Sequence, residues 1–292
     1  MKLASFINPE NGVKTFGMVN DNGLIDLGHR LPFSDLAALL RANALTDLPH
    51  YAEADFQLDE VTYLPVIEQP SKILCVGMNY MEKRIEFEQT IDAPTLFIRF
   101  ADTLSGHQQP LLKPQSTNEF DYEGELAVII GKPADNIRRE NALSVVAGYS
   151  CFMDGSVRDM QYTWFTSGKN WRHTGGFGPW LVTADEIGDP QQLGISTYLN
   201  GNRVQHDHTG NMVRSVAELI EYISRFTPLS PGDVIITGSP GGVGKKRTPP
   251  LFMREGDVVE VEISGIGRLT NRIATSQPAD ESRVQRPVPC AV

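Results

Sequence analysis

The stretch Asp121-Tyr122-Glu123-Gly124-Glu125-Leu126-Ala127-Val128-Ile129-Ile130-Gly131 decides how the rest of the chain is read. It is short, apolar towards its end, rich in β-branched residues and closed by Gly131, which predicts a buried β-strand. Strand side chains alternate between faces, so Glu123 and Glu125 share a face with Ala127 and Ile129. Two carboxylates on one face of a core strand repel each other and lose hydration. A hard divalent cation relieves both problems, because oxygen ligands suit Mg²⁺, Mn²⁺ or Ca²⁺. An edge strand whose glutamates face water suits the same residues, and the stretch alone does not separate the two.

Working outward, the totals set bounds. The chain has 292 residues, enough for one large domain or one large and one small. At 40% hydrophobic and 21% charged residues it has the balance of a globular protein. A formal net charge of −10 argues against a nucleic-acid partner, which needs a basic face. No apolar run approaches the roughly 18–20 residues of a membrane helix, and the first nine residues lack a signal peptide's apolar core. Cys75, Cys151 and Cys290 stand far apart and outside any Cys-x-x-Cys pair, which predicts buried thiols in a reducing cytoplasm. No His/Cys cluster has the ligand spacing of a zinc site.

Residues 1–66 read as a small, separate β-rich unit with an accessory or dimerising role. It holds a hairpin with a type I′ turn at Asp21-Asn22-Gly23 and a short helix over 35–41 capped by Ser34. Pro65 and Pro70 bracket a linker to a catalytic domain over 67–275, and 276–292 read as a loose polar tail. In that domain, residues 71–77 form a first core strand, after which Asn79 is placed to cap a helix. On that helix Lys83 and Glu86 are neighbours at i, i+3, and their plain reading is a solvated ion pair. A strand over 94–100 leads into a loop holding Ser105, Gly106 and His107. Residues 148–155 form an apolar strand ending in Asp154 beside Gly155, well placed to complete an oxygen-ligand site, and Arg158, Asp159 and Gln161 follow. The segment 168–180, rich in Gly and aromatics, suits a loop against a ligand or a plug in the core.

Asn200-Gly201 marks a hairpin turn, with His206 and His208 on the surface beyond it. Residues 211–226 carry an amphipathic stripe of Met212, Val216, Leu219, Ile220, Ile223 and Phe226, which reads as core. The strand over 231–237 enters a Gly-rich loop that fails as a phosphate loop. Five residues separate Gly238 from Gly244, and Lys246 rather than Ser or Thr follows Lys245. A last hairpin spans 255–273.

Several of these stretches, in order across residues 71–273, resemble the fumarylacetoacetate hydrolase family. They are Val76-Gly77-Met78-Asn79-Tyr80, Asp121-Tyr122-Glu123-Gly124-Glu125, Met153-Asp154 with Arg158, Asp159 and Gln161, Gly168-Lys169, Gly178-Pro179-Trp180, Leu199-Asn200-Gly201, the 237–244 loop and the 256–261 strand. The resemblance implies an α+β, mostly β fold: a mixed β-roll catalytic domain with a small β-rich N-terminal domain, assembled as a homodimer. It implies Mg²⁺ or Mn²⁺ held by Glu123, Glu125 and Asp154, with Lys169 as the active-site lysine. It also implies that Arg158, Gln161, Thr237 and Tyr80 face the metal or substrate, a small 2-oxo or 2,4-dioxo acid whose keto-carboxylate oxygens chelate the ion.

The chemistry is coherent. Breaking a C–C bond between two carbonyls leaves a carbanion, whose charge spreads onto a keto oxygen where a cation and Lys169 stabilise it. Two positions depart from the family pattern. Lys83 stands where many family hydrolases carry the histidine of a His-x-x-Glu pair, with Glu86 kept. A protonated lysine, with an ordinary pKa of about 10.4, is a poor base, so Glu86 or His107 must activate water for hydrolysis. His173 stands where the family often has a threonine four residues after Lys169, and Thr174 is next. The leading expectation is a cytoplasmic, divalent-metal-dependent hydrolase of an acylpyruvate-like 2,4-dioxo acid, from catabolism of aromatic or related compounds, with Lys169, Glu86, His107 and Lys83 as catalytic candidates. The alternative is an isomerase or decarboxylase of a 2-oxo or 2-hydroxydienoate diacid at the same metal site, which needs no activated water. A third reading is a binding protein that kept the fold and lost turnover.

Overall fold

The computed structural model describes residues 1–48, 53–90, 92–162 and 164–276, so the tail beyond Ser276 and Cys290 fall outside the described residues. Strand outweighs helix, and two mixed sheets carry most of the chain. The larger runs in the order Gly23–Asp26, Lys14–Asn20, Lys2–Ile7, Gly175–Thr183, Val146–Asp154, Gly124–Ile130, Val234–Ile236, Ile73–Gly77 and Thr95–Ile98. The smaller runs Asn202–His208, Gly194–Leu199, Val258–Ile263, Gly267–Thr275 and Leu111–Lys113. No helix among the described residues is long and apolar enough to cross a membrane.

Alternation along Gly124–Ile130 divides the interior in two. Leu126, Val128 and Ile130 pack with Ile195, Val261 and Leu269 of the smaller sheet and with Leu219 and Ile223. Ala127 and Ile129 point the other way and pack with Leu3, Phe16, Ile25, Leu36 and Leu39. Both faces of the strand are therefore dry, and all seven of its residues are buried. Residues 1–66, expected as a separate unit, share the larger sheet: Lys2 and Leu3 pair with Val182 and Leu181.

Local chemistry corrects three details. Asn20 pairs with Gly23 across Asp21-Asn22, and neither central residue has positive φ, so the turn is not type I′. Asn200 (φ 50) and Gly201 (φ 78) do meet that requirement. Asp35, not Ser34, caps Leu36–Arg41, its carboxylate accepting from the Ala38 amide at 2.7 Å. The amphipathic helix is shorter than its apolar stripe: Val216–Ser224, begun by a capping box of Ser215 and Glu218, with Phe226 left exposed.

Candidate active site

Strand register builds the site. Gly124 pairs with Met153 and Glu125 with Phe152, so Glu123 and Asp154 oppose each other, and the Asp154 amide donates to the Glu123 carbonyl at 2.8 Å. Opposed side chains of an antiparallel pair lie about 5 Å apart on one face, and Glu125 shares that face two residues along. One oxygen each of Glu123, Glu125 and Asp154 lies within 4.8 Å of the others, and all three residues are buried. The water-facing edge strand is excluded, because Gly124–Ile130 lies between Val146–Asp154 and Val234–Ile236.

Four cations converge on these carboxylates. Lys169, closing the turn Thr166–Lys169, donates to Glu123 Oε2 at 2.5 Å, to Asp154 Oδ2 and to Ser156 Oγ at 2.6 Å. Lys83 donates to Glu123 Oε1 at 2.7 Å and to Ser239 Oγ at 2.6 Å. It is 4% exposed, so the solvated Lys83–Glu86 pair is not formed; the helix Met81–Glu86 turns Lys83 inward. Arg158 bridges Glu123 Oε1 at 2.7 Å and Asp121 Oδ2 at 2.8 Å. Arg99 donates to Asp154 Oδ1 and is aimed by Thr174, whose hydroxyl accepts from Arg99 Nη2 at 2.7 Å and donates to the Trp171 carbonyl. His173 is turned away, its Nδ1 2.8 Å from the Leu104 carbonyl.

Glu123 and Glu125 occupy opposite electrostatic settings. Burial raises the Glu123 carboxyl, but Arg158, Lys169 and Lys83 outweigh it and hold the group well below the usual carboxylate range. Glu125 makes no ion pair among the described residues and accepts the Gly238 amide at 2.6 Å. Burial, then the charges of Asp154 and Glu123, push its carboxyl well above that range. Gly238 presents that amide at φ +98, where a Cβ would lie 2.9 Å from the Val76 carbonyl oxygen.

These residues fit a divalent ion. The donor set is all oxygen, its atoms converge, and Glu125 is a buried carboxyl that no cation among the described residues pairs with. Hydrogen bonds do not exhaust Glu123 and Asp154, since each carboxylate oxygen has two lone pairs.

A cavity of about 230 Å³ opens onto the cluster. Lys83, Glu123, Glu125, Arg158 and Lys169 form its floor, with Phe87, Phe97 and Phe165 on its walls and Gln161 and Lys245 beside them. Gln161 accepts from Arg158 at 3.2 Å, and its buried Nε2 has no partner.

The other sequence candidates do not line the cavity. Tyr80 is fully buried, and its hydroxyl has no partner. The Thr237 hydroxyl donates to the Leu126 carbonyl at 3.0 Å, and the Thr237 carbonyl accepts from Asn79 Nδ2 at 2.8 Å. Asn79 thus joins two loops instead of capping the helix, whose N-cap is Tyr80. Glu86 keeps Oε2 buried without a partner, and burial raises its carboxyl. His107 lies elsewhere: it accepts the Thr270 amide at 3.1 Å, packs edge-on against Tyr63, and burial pushes its pKa down to about 4. Arg99, Ser156, Ser239 and Lys245 escaped the sequence reading. Only Arg99 carried a signal, as a charge inside the apolar run Phe97-Ile98-Arg99-Phe100.

Residues 72–274, more than half of the chain, match the family description Fumarylacetoacetate (FAA) hydrolase C-terminal. The chain belongs to the fumarylacetoacetate hydrolase family. Named relatives of this family member are enzymes of more than one kind. The mitochondrial oxaloacetate tautomerase FAHD2B of Bos taurus is 35% identical over 289 residues, spanning 94% of this chain and 91% of that one. The fumarylacetoacetate hydrolase of Exiguobacterium antarcticum superposes with a TM-score of 0.82 at 32% identity, over 94% of this chain and all (100%) of that one. Maleylpyruvate hydrolase from Sphingobium sp. SYK-6, in complex with manganese(II) and pyruvate, gives 0.77 at 26% identity, over 95% and 100%.

Proposed function

We propose that this fumarylacetoacetate hydrolase family member is a divalent-metal-dependent tautomerase or isomerase of a small 2-oxo acid, with oxaloacetate as the first substrate to test. One observation carries the reading. Apart from Glu123 and Glu125, no described side chain lining the cavity is a base at neutral pH. Hydrolysis needs a positioned water and a group that keeps the proton it takes from that water, whereas keto–enol interconversion passes one proton between carbon and oxygen of one molecule through a group that gives it and takes it back, a role a single lysine can fill. The name of the Bos taurus relative supports the same choice.

Glu123, Glu125 and Asp154 would hold the ion, which when bound supplies the Lewis acidity that favours the enolate of a chelated 2-oxo acid. Oxygen-only donors suit Mg²⁺ or Mn²⁺. Lys169 and Lys83 place two ammonium groups at the cavity floor, both anchored on Glu123, where they stabilise charge developing on the keto oxygen. Either ammonium can donate the proton that the enol carbon accepts, and the neutral amine left behind takes up the proton that the enol oxygen gives, so the lysine ends charged as it began. Phe87, Phe97 and Phe165 give the carbon chain an apolar wall. The homodimer belongs to the same proposal, and sedimentation of the purified chain tests it.

The test supplies enol-oxaloacetate with Mg²⁺ and follows its disappearance against the uncatalysed rate. Acceleration that needs the metal is expected; no acceleration, with pyruvate released from acylpyruvates instead, overturns the reading. Glu86 favours that hydrolytic second reading, since its unpartnered, burial-raised carboxyl follows Lys83 by three residues. Solvent ¹⁸O in the acid product, lost in Glu86→Gln, would establish it.

A further inference from the structure

We propose that Lys245 selects dicarboxylates: it binds the carboxylate at the far end of a 2-oxo diacid whose 2-oxo-carboxylate end meets the metal-binding carboxylates. The inference deepens the proposed function and rests on its reading of the cavity as a 2-oxo acid site.

Four cations line this cavity, and three are committed. Lys83, Arg158 and Lys169 are nearly fully buried, and each donates to Glu123 and to at least one further acceptor. A ligand anion that captured one of them would have to break a buried ion pair. Lys245 differs. Its side chain is 46% exposed, and its carboxylate neighbour, Glu119, lies 3.9 Å away, beyond hydrogen-bond distance, and is itself 39% exposed. The neighbouring Lys246 does not line the cavity and is engaged with the Phe87 ring, its ammonium 4.5 Å from the ring centre.

The backbone beneath Lys245 is held firmly while the side chain is not. The amides of Gly244 and Lys245 donate to the two oxygens of Asp121 at 2.7 and 3.0 Å. Asp121 is locked in turn by Arg158 at 2.8 Å. A Cβ at Gly244 would fall 1.8 Å from the Leu251 carbonyl oxygen, so glycine lets this turn press against the chain. The result is a flexible cation on a fixed base, tied through Asp121 and Arg158 to the same Glu123 that anchors the floor. Gln161 adds an amide N–H without a partner on the same cavity. A carboxylate is a ligand that takes a charged and a neutral donor together.

The charge balance agrees. Lys83, Arg99, Arg158 and Lys169 pair with Asp121, Glu123 and Asp154, and with Glu125 ionised on a bound metal the formal charges of the four carboxylates and four cations cancel. A divalent ion then leaves the floor two charges positive, a setting that favours a dianion over a monoanion, and Lys245 stands at its side with the exposed Glu119 at 3.9 Å.

The experiment measures equilibrium binding to the Mg²⁺-loaded full chain by calorimetry, with acids of equal carbon count that differ in one carboxylate. The pairs are 2-oxoglutarate against 2-oxopentanoate and oxaloacetate against 2-oxobutanoate. Wild type is expected to favour the diacid of at least one pair by roughly tenfold to a hundredfold, the range of a charge-assisted hydrogen bond. Lys245→Met should bring both acids of that pair within about twofold, leaving the monoacid unchanged, and Lys245→Arg should keep the preference. A preference that survives Lys245→Met, equal weakening of both acids, or no preference in wild type overturns the role of Lys245 while leaving the 2-oxo acid reading intact. Failure of every 2-oxo acid to bind overturns both.

Discussion

The floor and the mouth of the cavity use the same kinds of side chain in opposite ways. At the floor, Lys83, Arg158 and Lys169 are buried and each is bonded to Glu123 and to a second acceptor. At the mouth, Lys245 has its carboxylate neighbour Glu119 at 3.9 Å, beyond hydrogen-bond distance, and Gln161 Nε2 has no partner among the described residues. A buried charge without a partner is costly, so a floor of satisfied pairs holds its ligand atoms in one geometry. Groups with spare hydrogen-bonding capacity are the ones a ligand can engage, so recognition belongs to the mouth.

The sharpest way to break this contrast is to unpair the floor. Asp154→Ala strands Arg99 and Lys169 without one of their carboxylates, and should cost about 3–5 kcal/mol of stability in denaturant unfolding, with metal binding lost. Lys169→Met leaves Glu123 with Lys83 and Arg158 and Asp154 with Arg99, so it should cost less stability than Asp154→Ala but lower kcat by about 10²–10³ under saturating metal, the range for losing one electrostatic stabiliser. Chelation should abolish turnover, and Mg²⁺ at about a hundredfold its Kd should restore turnover and raise unfolding stability by about 2.7 kcal/mol. Glu125→Gln should erase that metal-dependent stabilisation.

At the mouth the effects should shrink. Gln161→Leu removes one neutral donor and should weaken substrate binding by roughly threefold to tenfold, seen in KM more than in kcat. The contrast also needs a control outside the cavity, and His107 supplies it. Its folded pKa of about 4 lies below its ordinary value, so the stability contributed by the neutral ring is present above about pH 6.5 and lost as pH falls towards 4. His107→Gln should flatten that acid limb of the unfolding midpoint and leave kcat at pH 7 unchanged. A loss of kcat would bring His107 back into the site.

Much of the fold could be read from periodicity. The seven residues of Gly124–Ile130 alternate between two cores, as a strand buried on both faces must. The Asn200-Gly201 hairpin was legible because two successive positive φ values demand such residues. Less legible were features that depend on a distant partner. Asn79 looked like a cap, yet its amide is held by Arg214 and Thr237, 135 and 158 residues away along the chain. His107 looked like a reserve base, but the chain folds its ring against Tyr63 and Thr270.

A period of two was enough to put Glu123 and Glu125 on one face, because same-face placement on a strand is a local property of the backbone, while the family resemblance joined Asp154, from another strand, to them as one oxygen-ligand set. Which cations those carboxylates meet was decided only by tertiary structure. Arg99, Lys83, Arg158 and Lys169 come from four separate segments, and Lys245, which pairs with none of the three carboxylates, comes from a fifth. Whether each is spent or available depends on acceptors that strand register and loop packing bring within 3 Å, and no spacing along the chain encodes that distance.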